Sequence, residues 1–100
     1  MTDKKYVYML KRSYYKDARP YQDEIEDEKT IHYETFEKAL QDIQTEYNKK
    51  IQHPDLEMKG IEIDKDKGEI EAYITIQTYK RTYSVFTQYE WKLTKEEIKK

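Results

Sequence analysis

The chain has 100 residues, enough for one domain with a single hydrophobic core, and we predict one domain over residues 1–100. It has no cysteine, which excludes disulfides and cysteine-ligated metal sites. The net charge is −2, and no apolar run approaches the roughly 18 residues of a membrane span. We therefore predict a soluble, cytoplasmic protein without membrane association.

The small net charge hides a strong asymmetry along the chain. Residues 1–20 carry six basic and two acidic side chains, or +4, and residues 21–46 carry two basic and nine acidic, or −7. Residues 47–100 carry eleven basic and ten acidic, or +1, which brings the sum to −2. A basic first segment is thus followed by an acidic one.

Residues 4–15 are predicted to form a strand, because apolar side chains occupy both parities of an alternating pattern. Tyr6, Tyr8 and Leu10 share one face, and Val7 and Met9 share the other. Residues 16–29 are polar and aperiodic, which predicts a long loop. Residues 30–33 follow it as a short candidate strand.

Residues 35–52 carry the clearest periodicity and predict an amphipathic helix. Apolar side chains recur at steps of three and four along one stripe, at Phe36, Leu40, Ile43, Tyr47 and Ile51. Thr35 can cap the first turn, Glu37 suits the positive end of the helix dipole, and Lys49 and Lys50 suit the negative end. Pro54 ends the helix, because proline disfavours helical geometry in the preceding residue.

Three strands are predicted after the helix, at residues 56–64, 69–79 and 82–93. Gly60 stands where the apolar parity of the first one switches, which indicates a bulge. Residues 94–97 have the spacing of a capping box and predict a helical turn. The fold class is therefore α+β in the order β-α-β-β-β, with the helix on an antiparallel sheet of about four strands. The helical stripe is expected to pack against Ile70, Ile74 and Ile76.

The sequence lacks a recognisable catalytic or metal-binding constellation. The tripeptide at residues 53–55 resembles that of J-domain co-chaperones, but the strand predicted after it favours a simple helix stop. Residues 64–68 resemble the start of a calcium loop, but Glu69 and Thr75 stand where an EF-hand needs glycine and glutamate. The two histidines and two serines have no supporting partners at useful spacing. We expect neither an enzyme nor a cofactor or metal.

Tyrosine is the strongest compositional anomaly, with eleven residues. Tyr6, Tyr8, Tyr47 and Tyr73 fit core or boundary positions. The others of interest lie near strand ends beside basic residues, where tyrosine and arginine together are typical of binding surfaces. The alternative is that these rings cover a small core and stack on lysine stems. The candidate partner-binding residues are Tyr14, Tyr15, Arg19, Tyr21, Tyr79, Lys80, Arg81 and Tyr83.

An acidic run within residues 23–28 is the second candidate surface. It is either a solvated loop or an anionic patch that docks a basic partner or imitates nucleic-acid phosphate. Its members are Asp23, Glu24, Glu26, Asp27 and Glu28.

The leading hypothesis is a small non-catalytic module that binds another protein of unknown identity. Its abundant Lys, Ile, Tyr and Glu are typical of AT-rich genomes. As a short, cysteine-free chain, it resembles phage or mobile-element accessory proteins that inhibit a host or defence protein by stoichiometric binding. One alternative is nucleic-acid binding through sheet aromatics and lysines. Another is a self-associating structural protein that pairs through its long last strand, which we expect at a sheet edge.

Overall fold

One helix lies on one face of a five-stranded antiparallel sheet in the computed structural model, which describes residues 5–19 and 23–98. The elements in chain order are β1 (Tyr6–Arg19), β2 (Asp23–Tyr33), α1 (Phe36–Lys50), β3 (Leu56–Asp64), β4 (Glu69–Tyr79) and β5 (Ser84–Glu97). The strands lie side by side in the order β2-β1-β5-β4-β3. The predicted combination of one helix and an antiparallel sheet is confirmed, but the strands number five and the helix follows the second.

The predicted loop over residues 16–29 is wrong, because β1 continues to Arg19 and residues 23–33 pair with it in one unbroken register from Ala18↔Asp23 to Tyr8↔Tyr33. Residues 24–30 are all exposed. A strand at the edge of a sheet can be exposed on both faces, so it needs no apolar alternation in its sequence. The strand predicted at residues 30–33 is the end of this longer one.

The last strand is longer than predicted and lies at the centre of the sheet, so the expectation that it forms an edge is wrong. The helical turn predicted at residues 94–97 is also wrong. These residues belong to β5 and pair with the beginning of β1, from Met9↔Thr94 to Tyr6↔Glu97. The capping-box spacing of residues 94–97 is not used to begin a helix, because their backbone pairs with β1 in the sheet.

The bounds of β3 and β4 agree with the prediction. The bulge does not lie at Gly60, because the register shifts between Leu56 and Met58. Gly60 instead lies beneath the ring of Tyr73, where a Cβ would overlap the aromatic carbons. The glycine is therefore explained by a close side-chain approach.

The helix begins and ends as its sequence predicts. Thr35 Oγ1 accepts a hydrogen bond from the backbone N–H of Lys38 at 3.2 Å, and Pro54 follows three residues after the helical cap Ile51. The buried side of the helix meets the predicted isoleucines of β4 in a single core. That core consists of Leu10, Phe36, Ala39, Ile43, Tyr47, Ile70, Ala72, Ile74, Ile76, Trp91 and Leu93.

The sheet is much longer than the helix that covers it. The Cα radius of gyration is 16.6 Å, against about 13 Å for a compact domain of this length. Helix α1 starts near Tyr8, whose ring lies 5.9 Å from that of Phe36, and ends with Lys50 over the ring of Tyr89. Residues 84–88 of β5, and residues 15–19 of β1 that pair with them, therefore project past the end of the helix.

A polar contact joins the helix to β1 and to the central strand β5. Arg12 of β1 donates to Glu46 of the helix at 2.6 Å, and the indole N–H of Trp91 in β5 donates to the same carboxylate oxygen at 3.2 Å. Trp91 is only 2% exposed, so its N–H depends on this acceptor.

We expect Glu46→Ala to lower the free energy of unfolding by about 1–3 kcal/mol, because it leaves a buried indole N–H and a half-buried guanidinium without their acceptor. Chemical denaturation followed by circular dichroism measures the change. The matched control is Gln44→Ala on the exposed side of the same helix, which should stay within about 0.5 kcal/mol of the parent. Equal stability of the two variants would contradict the assigned role of Glu46.

Candidate protein-binding surface

The fold gathers most of the predicted partner-binding residues at one end of the sheet, where β1 ends and β4 turns into β5. Arg19 pairs with Ser84, and Ser84 pairs on its other side with Tyr79. The backbone N–H of Lys80 donates to the carbonyl of Tyr83 at 2.8 Å and closes the turn. We call this region the aromatic end, and it comprises Tyr15, Arg19, Tyr79, Lys80, Arg81 and Tyr83.

The aromatic end presents large side chains to solvent. Tyr79 is 80% exposed and Tyr83 is 37% exposed, and Lys80 and Arg81 between them are exposed as well. Aromatic rings usually bury a large area, so an almost fully exposed tyrosine at a turn is contact area available to a partner.

Tyr15 and Arg19 belong to an ordered group beside this turn. The Tyr15 ring meets Phe86 edge to face at 6.3 Å. The Arg19 Nε–H lies 3.0 Å from both oxygens of Asp17, and its Nη2 lies 3.4 Å from Glu24. These contacts hold the guanidinium at the surface, where it remains about half exposed.

The same neighbours raise the pKa values of two titrating groups in this region. Desolvation, followed by the negative charges of Asp17 and Glu24, raises the pKa of the Tyr15 phenol above 10.0. The hydrogen bond to Asp17 and the charge of that carboxylate raise the pKa of the Arg19 guanidinium. The arginine is therefore a permanent cation held beside a neutral phenol.

Tyr14, another predicted partner-binding residue, lies apart from the aromatic end. Successive side chains of a strand point to opposite faces, so Tyr14 lies on the face that the helix covers and Tyr15 on the other. The Tyr14 ring packs 5.1 Å from Tyr89, over which Lys50 places its ammonium at 3.9 Å from the ring centroid. This ring fits the alternative of tyrosine stacked over a small core. Tyr21 lies outside the described residues.

The sheet face opposite the helix, which we call the open face, has no second layer within the described residues. Tyr15, Tyr73 and Phe86 lie on it by strand parity, and Tyr73 is 39% exposed although it was predicted at the core or its boundary. Carboxylates outnumber cations around these rings, with Asp17, Glu24, Glu26, Glu28, Glu71 and Glu90 against Lys11, Arg19 and Lys92. The open face is therefore aromatic and acidic.

The sequence could have revealed Phe86 and Tyr73 as neighbours of this surface only if the strand register had been known. Phe86 has the opposite parity to Tyr89 and Trp91, which marks it as pointing away from the core. Its contact with Tyr15 depends on the pairing of β1 with β5, which no local pattern specifies.

The acidic run is part of the edge strand β2 and divides between the two faces. Glu24, Glu26 and Glu28 lie on the open face, and Asp27 lies on the side of the helix. Asp23 begins the strand and pairs with Ala18. The three glutamates thus form a regular row along a sheet edge.

Within residues 5–19 and 23–98, no group of three or more histidine, aspartate or glutamate side chains is arranged to hold a metal ion. His53 uses its Nδ1 to accept a hydrogen bond from the backbone N–H of Asp55, in agreement with the predicted helix stop. In the same part of the chain, no helix has the length and apolar character needed to cross a membrane.

Comparisons with protein-family models, with curated proteins and with solved structures found no match to this chain.

We expect Asp17→Asn to lower the pKa of Tyr15 toward 10.0, because it removes the largest charge that opposes ionisation of the phenol. Titration of the tyrosine Cζ carbon by ¹³C NMR measures this shift. Asp27→Asn is the control, since Asp27 lies on the same stretch of sheet but on the other face. An unshifted Tyr15 in the Asp17 variant would show that this carboxylate does not act on the ring.

Proposed function

We propose that this protein is a small non-catalytic module that binds another protein through its aromatic end. One observation carries the proposal. Residues 15–19 and 79–83 are separated by most of the chain, yet the fold brings their tyrosines and arginines to one projecting end of the sheet. Tyrosine and arginine are enriched among the residues that dominate binding energy in protein interfaces.

The position of the aromatic end suits contact with a large partner. It projects beyond the end of α1, so the helix does not obstruct approach from that side. A stable interface buries about 800 Å² on each partner, which is more than a single turn offers. The neighbouring rings of Tyr15 and Phe86 continue the surface onto the open face and so enlarge the area available for contact.

The composition supports a specific kind of binding protein. Lys, Ile, Tyr and Glu dominate the sequence, which is characteristic of AT-rich genomes, and the chain is short and cysteine-free. We infer a phage or mobile-element accessory protein that inhibits a host or defence protein by stoichiometric binding. Such inhibition needs a tight contact surface and no catalytic group.

Nucleic-acid binding has weaker support than protein binding. The open face offers aromatic rings for base stacking, but the carboxylates beside them repel a phosphate backbone. Lys11 and Arg19, two of the cations on that face, already form ion pairs with Glu28, Asp17 and Glu24.

The test of the proposed surface compares two double variants in affinity purification from lysate of the encoding organism, with quantitative mass spectrometry. Tyr79→Ala with Arg81→Ala should reduce recovery of the partner at least about tenfold, because both side chains lie in the proposed contact. Tyr6→Ala with Lys5→Ala is the matched control at the opposite end of the sheet and should recover the partner normally. Equal recovery by both folded variants would refute the assignment of the aromatic end.

We also expect no measurable binding of single- or double-stranded oligonucleotides at low salt, because phosphate contacts are strongest there and the open face opposes them. Fluorescence anisotropy of labelled oligonucleotides at about 20 mM and 200 mM salt checks this. Binding at the lower concentration that weakens at the higher one would favour the nucleic-acid hypothesis over protein binding.

A further inference from the structure

Strand β2 forms one outer edge of the sheet, and no described strand pairs with its other side. An edge strand presents a row of backbone N–H and C=O groups that can pair with another extended chain. Residues 24–30 are exposed, so neither the helix nor another described element covers this part of the edge.

The geometry of β2 is regular enough to accept a further strand. It has 11 residues, which span roughly 37 Å at about 3.4 Å per residue, and it pairs with β1 without a register shift. The opposite edge, β3, has 9 residues and shifts register between Leu56 and Met58. A bulge of this kind bends an edge and interrupts pairing, so β3 is the poorer template.

The side chains of β2 define what an added strand should carry. Glu24, Glu26 and Glu28 alternate along the open face, and only weak, exposed ion pairs connect two of them to Arg19 and Lys11, each at 3.4 Å. Glu26 forms no ion pair with the described residues. Opposite charges directly across two strands stabilise their pairing, so this row favours lysine or arginine at alternate positions of the incoming chain.

The same row disfavours a second copy of this protein at this edge. Full-length antiparallel pairing of two β2 strands would set Glu28 against Glu28, where like charges are destabilising. Glu26 would face Thr30 and Glu24 would face His32, so no carboxylate of the row would meet a lysine or arginine. The occupant that fits is therefore a different chain with basic character.

We propose that β2 takes up an extended, basic segment of another protein as a sixth strand of the sheet. Backbone hydrogen bonds supply the pairing, and the alternating carboxylates select the basic side chains. This edge adjoins the aromatic end only at the ion pair of Glu24 with Arg19, and the inference stands whether or not the aromatic end binds a partner.

The test uses a synthetic 11-residue peptide, matched to the length of β2, in which lysine alternates with threonine. Two further peptides have the same sequence and charge but carry N-methyl groups on one or the other set of alternate residues. N-methylation removes the donors on one edge of the peptide. We expect the parent peptide to bind at low salt and at least one N-methylated peptide to bind at least tenfold more weakly.

Protein variants locate the binding edge in the same assay. Glu24→Gln, Glu26→Gln and Glu28→Gln together should weaken binding of the parent peptide at least tenfold. The matched control at the opposite edge, Glu57→Gln, Glu62→Gln and Asp64→Asn together, should bind it like the unmodified protein. Hydrogen exchange by NMR should slow along β2 on binding, because its outward amides become hydrogen-bonded.

Three results would overturn the proposal. They are no binding of the parent peptide at low salt, equal binding of all three peptides, and equal weakening by the two triple variants. Equal binding of the peptides would mean that charge alone attracts them. The variant Tyr79→Ala with Arg81→Ala separates the two surfaces, because it should bind the peptide normally even if it loses the partner of the aromatic end.

Discussion

The pairing of β1 with β5 is the constraint on which the rest of the structure depends. These strands, near opposite ends of the chain, lie side by side in the sheet over 14 residues, from Tyr6↔Glu97 to Arg19↔Ser84. The other strands build outward from this pair, with β2 on β1, β4 on β5 and β3 on β4. The same register aligns the end of β1 with the turn between β4 and β5 and thereby creates the aromatic end.

The helix makes the two faces of this sheet different. Its buried side covers the central rows of one face, and the shared carboxylate of Glu46 fixes it to both β1 and β5. The other face receives no such layer from the described residues, and its rings pack on one another and on a glycine. One short helix therefore suffices for a core, and it leaves a large area of sheet for contact with other molecules.

Local sequence patterns predicted the elements that bury apolar side chains, and they failed where burial was absent. Ile70, Ala72, Ile74 and Ile76 alternate cleanly, so β4 was predicted with its observed bounds. Strand β2 carries an acidic run without alternation, because both faces of an edge strand meet water, and it was mistaken for a loop. The candidate residues of the aromatic end followed from composition alone. Their assembly depends on long-range pairing, which also separates Tyr14 from them on the other face of the sheet.

The central position of the last strand has a consequence for synthesis of the protein. During translation, β1 emerges before the other strands of the sheet, yet its partner on one side is β5, which is made after all of them. Until then β1 and β2 can form only a two-stranded ribbon, which is marginally stable on its own in water. Leu93 of β5 lies between Leu10 and Ile70 and pairs with both, so this part of the core forms only when β5 is in place. The sheet is therefore completed only once β5 has emerged, through contacts far apart in sequence that form slowly.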